Sequence, residues 1–235
     1  KLLMQQAELK HLQSQINPHF LYNSFFTLYR MGKDEDYESI VEFSSYLSEY
    51  YRYITKNSQK EVFLKMEVEH ARRYGMIQAI RFRRRLKVVV NELPEKFNDI
   101  QVPRLILQPI LENAIYYGVG DMDEDDHPRI LVRGFKKEEE IYLVVSDNGM
   151  GMRREDVENI LTDNQKVPKH GSGVGLINVH TRIQLMFGVR YGLTVESEPD
   201  EGTTVTIHLP AIPYTKENCE ILEAPGKPPR NEVEP

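Results

Sequence analysis

A single cysteine, Cys219, rules out an internal disulfide and a thiolate metal cluster, which fits a reducing compartment. No apolar run approaches the roughly 18 residues that a membrane helix needs, and the N-terminus does not have the form of a signal peptide. Basic residues are not in surplus. The formal net charge is -6, which argues against general nucleic-acid binding. A start methionine is also missing. The chain opens inside a helical pattern, KLLMQQAELKHLQSQI, so a piece of a longer protein is expected, with any membrane anchor upstream. What is present is ordinary for a globular protein: 235 residues, 40% hydrophobic and 28% charged, enough for one domain and a smaller element.

Residues 1 to about 31 read as a helix, with Leu2, Leu9, Leu12, Ile16 and Phe20 at three-, four- or seven-residue steps. After a turn at Gly32, a second helix is predicted over about 37–55, with Ile40, Phe43, Leu47, Tyr50 and Ile54 on one broad face. Two antiparallel helices cannot bury that much apolar surface alone, so pairing into a dimeric four-helix bundle is expected, with docking onto the rest of the chain as the other solution. Further helices are predicted over 67–80, 104–117, 155–161 and from 171–175 to 187. Strands are predicted over 86–90, 129–135, 141–146, 193–198 and 203–209. The sum is an α+β sandwich, with helices on one face of a largely antiparallel sheet. The polar stretch 162–169 reads as a lid. The tail after Pro210, rich in Pro, Glu and Lys, reads as disordered. Arg81, Arg83, Arg84, Arg85 and Lys87 make a basic junction that reads as a solvated edge, since no aromatic stacking platform accompanies them.

Three segments carry ligand chemistry. Asp147-Asn148-Gly149-Met150-Gly151 follows an apolar strand directly. A carboxylate there accepts hydrogen bonds only, which suits an exocyclic amine such as that of adenine, while the glycines allow a tight turn. The same residues would also make an ordinary Asp-Asn-Gly turn. Gly171-Ser172-Gly173-Val174-Gly175 runs into a helix, where backbone N–H groups can meet phosphate oxygens. Its spacing is not that of a dinucleotide fingerprint, and no Gly-Lys-Ser/Thr exists for a Walker loop. Glu112 and Asn113 are polar residues in an otherwise apolar helix; an amide oxygen at Asn113 is a suitable hard ligand for Mg²⁺ if it faces a pocket.

The order asparagine helix, D-x-G-x-G, variable segment, G-x-G-x-G and terminal G-T-T strand resembles the Bergerat-type ATPase fold. The lines QINPHFLYN, VEHARRYGMIQAIRF, VPRLILQPILENA and GVGLINVHTRIQLMFG further resemble the LytS/YesM-type bacterial sensor histidine kinases, over about residues 10–210. The resemblance implies that ATP and Mg²⁺ are bound, with Asn113 on the metal and Asp147 on adenine. It places Gly149 and Gly151 around the adenine pocket, Gly171, Gly173 and Gly175 in the lid hinge and phosphate cradle, and Thr204 beside Asp147. It implies a division into an acceptor and dimerisation unit (1–58), an ATP-binding unit (59–211) and a tail (212–235). A homodimer, a response-regulator partner whose aspartate receives the phosphate, no nucleic acid, and a cytoplasmic position below an upstream membrane segment follow in the same way. Two departures stand out: Tyr116 and Tyr117 occupy positions where relatives carry Lys or His, and Asp121 to Asp126 form an acidic stretch.

Of seven histidines, His19 is set apart by Asn17-Pro18 before it and Phe20-Leu21-Tyr22-Asn23 after it. In the family it resembles, that histidine is the autophosphorylation site, and a neutral imidazole is available near pH 7. Many other histidine kinases carry an acid directly after the histidine; here Phe20 stands there, leaving Asn17 and Asn23 as candidate orienting groups. The alternatives are an ATP hydrolase and a catalytically weak signalling scaffold. A hydrolase would place a water-activating glutamate four residues before Asn113, where this chain has Pro109, and Glu112 lies about 100° around the helix.

Overall fold

The computed structural model describes residues 18–56, 60–161 and 172–211. Two helices open it, α1 (Pro18–Lys33) and α2 (Tyr37–Lys56), close to the predicted hairpin. Next come β1 (Glu61–Phe63), α3 (Leu64–Arg81), β2 (Lys87–Val90) and β3 (Gln101–Pro103). Helix α4 (Gln108–Asn113) continues as a π-helical turn, Ala114–Val119. The remainder is β4 (Arg129–Lys137), β5 (Glu140–Asp147), α5 (Arg154–Asn159), α6 (Ser172–Phe187), β6 (Gly192–Glu198) and β7 (Gly202–Pro210). Residues 1–17, the proposed lid 162–169 and the tail 212–235 lie outside the described residues, as does Gly171.

Five strands form the main sheet in the order β2-β4-β5-β7-β6. β2 runs parallel to β4 with Val88 opposite Ile130; the other pairings are antiparallel, with Val145 opposite Val205 and Leu193 opposite Ile207. Alternation puts Leu143, Val145, Val205, Ile207 and Leu209 on one face, where they are buried with Ile77 of α3, Leu111 of α4 and Val179 and Ile183 of α6. β1 and β3, missed as three-residue strands, pair with each other, Val62 opposite Val102. No helix among the described residues is long and apolar enough to cross a membrane.

The predicted helix over 104–117 starts later than expected. Arg104 to Leu107 form an irregular segment in which Leu105 takes a left-handed φ of 56°. The cause is long-range. The buried carboxylate of Glu67 on α3 accepts the N–H groups of Leu105 and Ile106 at 2.6 and 2.9 Å, together with the hydroxyl of Tyr53 from α2. It thereby caps α4, whose own N-cap residue, Leu107, offers no side-chain hydrogen bond. Arg182 of α6 grips the same segment from the other side, donating to the carbonyls of Arg104 and Leu105 at 2.5 and 2.9 Å.

The hairpin docks on α3. Phe20, Met31, Phe43, Tyr50 and Ile54 are buried, and His70 of α3 is stacked between Tyr50 and Tyr53 at 5.1 and 4.1 Å between ring centroids. Glu49–Arg73 and Glu42–Arg84 ion pairs flank this contact. The basic junction is therefore more than a solvated edge: Arg84 binds the hairpin, Arg81 donates to the Tyr116 hydroxyl at 3.0 Å, and Arg85 donates to the Gly120 carbonyl at 3.1 Å.

Candidate nucleotide and acceptor site

Asp147 ends β5 at the centre of the sheet. Its Oδ1 accepts the N–H of Gly149 at 2.9 Å and of Thr203 at 3.2 Å, while Oδ2 takes no hydrogen bond among the described residues. Burial pushes its carboxyl up to about 6 against the pull of those two N–H groups, since desolvation disfavours the charged form. Glycines close around it. A Cβ on Gly118 would stand 2.7 Å from Oδ1, and one on Gly202 (φ +93°) would stand 2.1 Å from the Asp147 carbonyl oxygen. Gly149 passes so near Gly118 that a Cβ would meet its carbonyl oxygen at 2.1 Å, and Gly151 adopts φ +63° against the Glu198 carbonyl. The Met150 N–H donates to the Gly118 carbonyl at 3.2 Å, tying the D-x-G-x-G turn to the π-helical turn after Asn113.

These residues fit a purine better than a bare turn does. A half-buried carboxylate with one oxygen committed to the backbone keeps the other for an exocyclic amine, and the flanking backbone has no side chains to fill the space. Asn113 is half-buried at the end of α4, one residue before the turn that carries Gly118. Gly173 and Gly175 lie in the first turn of α6, whose leading N–H groups, that of Gly173 among them, have no intrahelical partner. Of the two threonines in the G-T-T strand, it is Thr203 whose backbone bonds Asp147. Thr204 lies opposite Ser146 and Glu196, and by strand alternation it points to the other face of the sheet, lining a groove with Arg154, Val157 and Glu158.

His19 is exposed in the first turn of α1. The Asn23 amide nitrogen lies 3.3 Å from both ring nitrogens, so of the two candidate orienting groups Asn23 meets the ring; Asn17 lies outside the described residues. The next residue, Phe20, points inward, its ring 4.7 Å from Tyr50 and 5.7 Å from Tyr74. The proposed acceptor helix is thus anchored by the residue that replaces the expected acid.

Sequence reasoning missed Gly118, Thr203, Glu67 and Gln108. A glycine five residues after a candidate metal asparagine was a signal for the first. Nothing local marked the others, whose roles come from contacts 38 to 58 residues away in sequence.

Two family models match the chain: Histidine kinase over residues 7–86, and Histidine kinase-, DNA gyrase B-, and HSP90-like ATPase over residues 98–213. Among curated relatives, Sensor histidine kinase YesM of Bacillus subtilis and Sensor histidine kinase BtsS of Escherichia coli are each 33% identical over 210 residues, covering 89% of this chain and 34% of theirs. Sensor protein LytS of Bacillus anthracis is 31% identical, covering 88% of this chain and 35% of its own. The chain therefore spans about a third of the length of these relatives.

Proposed function

The chain belongs to the sensor histidine kinase family, and on that premise we propose that it binds Mg–ATP, phosphorylates His19 and serves as donor to the aspartate of a response regulator. The observation that carries this reading is the docking of the His19 helix, through Phe20 and Tyr50, beside the helix that ends in Asn113. In the proposed roles, Asp147 Oδ2 accepts the adenine amine, Asn113 supplies an oxygen to Mg²⁺, and Gly171, Gly173 and Gly175 supply backbone N–H groups to phosphate. ATP with Mg²⁺ contributes the phosphoryl group and the neutralisation of its charge. Asn23 orients the imidazole by donating to one ring nitrogen at a time. Asn23 bonds the one ring nitrogen that carries a lone pair and releases it as that nitrogen forms the N–P bond and the bond to the ADP oxygen breaks. The proton on the other ring nitrogen passes to solvent at the exposed edge.

Pro109 stands where a hydrolase would need its glutamate, which favours transfer to a side chain over transfer to water. Residues 1–58 are proposed as the acceptor and dimerisation unit and 59–211 as the ATP-binding unit, within a larger membrane-anchored sensor. The test is labelling with γ-labelled ATP and Mg²⁺. An acid-labile, base-stable phosphate is expected, abolished by His19→Ala and strongly reduced by Asn113→Asp. Label that persists in His19→Ala removes His19 as acceptor.

A further inference from the structure

Gln108 is buried at the start of α4, and its one amide touches three different elements. Nε2 donates to the Tyr50 hydroxyl of the hairpin at 3.0 Å and to the Glu112 carboxylate at 2.7 Å, one residue before Asn113. Oε1 lies 2.7 Å from His70 Nε2 on α3. Burial lowers the His70 pKa to about 4, so the ring is neutral and Nε2 carries the donated proton. Both amide hydrogens and the amide oxygen are therefore engaged, and the orientation of the amide is fixed by its neighbours. On the hairpin side, Tyr50 carries Phe20 on its ring, next to His19. From acceptor to metal ligand, the path Phe20–Tyr50–Gln108–Glu112 is continuous.

We propose that Gln108 is a positioning residue that couples nucleotide occupancy at Asn113 to the placement of the His19 helix, through its hydrogen bonds to Tyr50 and Glu112. The coupling is reciprocal: a nucleotide that fixes α4 also steadies Tyr50, and a seated Phe20 favours the α4 position that binds nucleotide. This rests on the assignment of His19 and Asn113 above.

Two variants of the full chain test it. Tyr50→Phe keeps the ring under Phe20 and deletes only the hydroxyl; Gln108→Met keeps the volume and deletes the amide. Hydrogen exchange of backbone amides in α2 is measured with and without Mg²⁺ and a non-hydrolysable ATP analogue. In the wild type the nucleotide slows exchange around Tyr50 by about fivefold, the size expected for one net hydrogen bond. Both variants lose that response, and because the coupling is reciprocal the dissociation constant of the analogue rises by up to about the same fivefold. In labelling, KM for ATP rises with that loss of affinity and kcat falls as the His19 helix loses its seat, whereas a purely structural role would leave the nucleotide response of α2 in place. Wild-type exchange that ignores the nucleotide, or variants that keep the response, overturn the proposal. A wild-type chain that is never labelled defeats the acceptor assignment instead, and the exchange result still decides the coupling.

Discussion

Gly118 stands against Asp147 so closely that a β-carbon there would lie 2.7 Å from Oδ1 and 3.1 Å from Oδ2. The glycine makes room for the carboxylate to keep its position over two backbone N–H groups. Gly118→Ala is expected to push the Asp147 side chain away from the pocket while the π-helical turn, whose φ values tolerate alanine, stays formed. Losing one hydrogen bond to a charged group should weaken nucleotide binding by about tenfold or more. Isothermal titration with Mg–ADP measures this, and an unchanged thermal midpoint would separate the effect from unfolding.

The motif order along the chain was enough to group Asp147 with Gly149, because the carboxylate bonds the backbone two residues on. The strands over 129–135, 141–146, 193–198 and 203–209 were legible likewise, since each is an apolar run bounded by turn residues. The segment 104–107 was illegible for a different reason. Its composition favours helix, but Glu67 gathers its N–H groups and holds Leu105 at positive φ, and nothing near Leu105 in sequence reports that carboxylate. Thr204 was expected beside Asp147, yet a shift of one residue in a strand changes the face, and the bond goes to Thr203. The docking of the hairpin was one of two open solutions, since burial of an apolar helix face says nothing about which surface covers it.

Asp147 gives a pH dependence with a defined sign. Its native pKa, about 6, lies above its ordinary 3.8, so the native state holds the proton more tightly than the unfolded chain. Stability contributed by this group is full below about pH 4 and is lost as pH rises through about 6. The difference in unfolding free energy between the wild type and Asp147→Asn should therefore fall by up to about 3 kcal/mol from pH 4 to pH 7. Urea titrations across that range measure it; a difference that is flat or rises would mean the carboxyl is not raised. Nucleotide binding runs the other way, since the amine needs the ionised acceptor, and affinity at pH 5 should be about tenfold below that at pH 7.5.

Glu67 is fully buried and serves four donors from two parts of the chain, Tyr53 of α2 and, in the 104–107 segment, Leu105, Ile106 and, at 3.5 Å, Leu107. Glu67→Leu leaves those groups unpaired and should cost about 3 kcal/mol, because a buried donor without an acceptor bears its full desolvation penalty. Tyr53→Phe removes one donor and leaves the backbone N–H groups paired, so about 1 kcal/mol is expected. Urea midpoints of the two variants test the ranking. Equal losses would show that the Tyr53 hydroxyl, and not the α4 cap, is the main partner.

The docked hairpin leaves a second apolar face uncovered. Tyr22, Phe25, Phe26 and Tyr29 on α1 are 60 to 72% exposed although they lie beside a buried face of the same helix. Large aromatic groups so arranged are costly in water at roughly 25 cal/mol per Å² of apolar surface, and a second copy of the hairpin offers a matching surface. In the proposed homodimer these residues form the seam. Phe25→Ser with Phe26→Ser should convert the dimer to monomer in light-scattering chromatography while leaving nucleotide affinity within about twofold, since neither residue is near Asp147. A double variant that remains dimeric would move the seam to another face, and a wild type that is monomeric at about 50 μM would remove the dimer altogether.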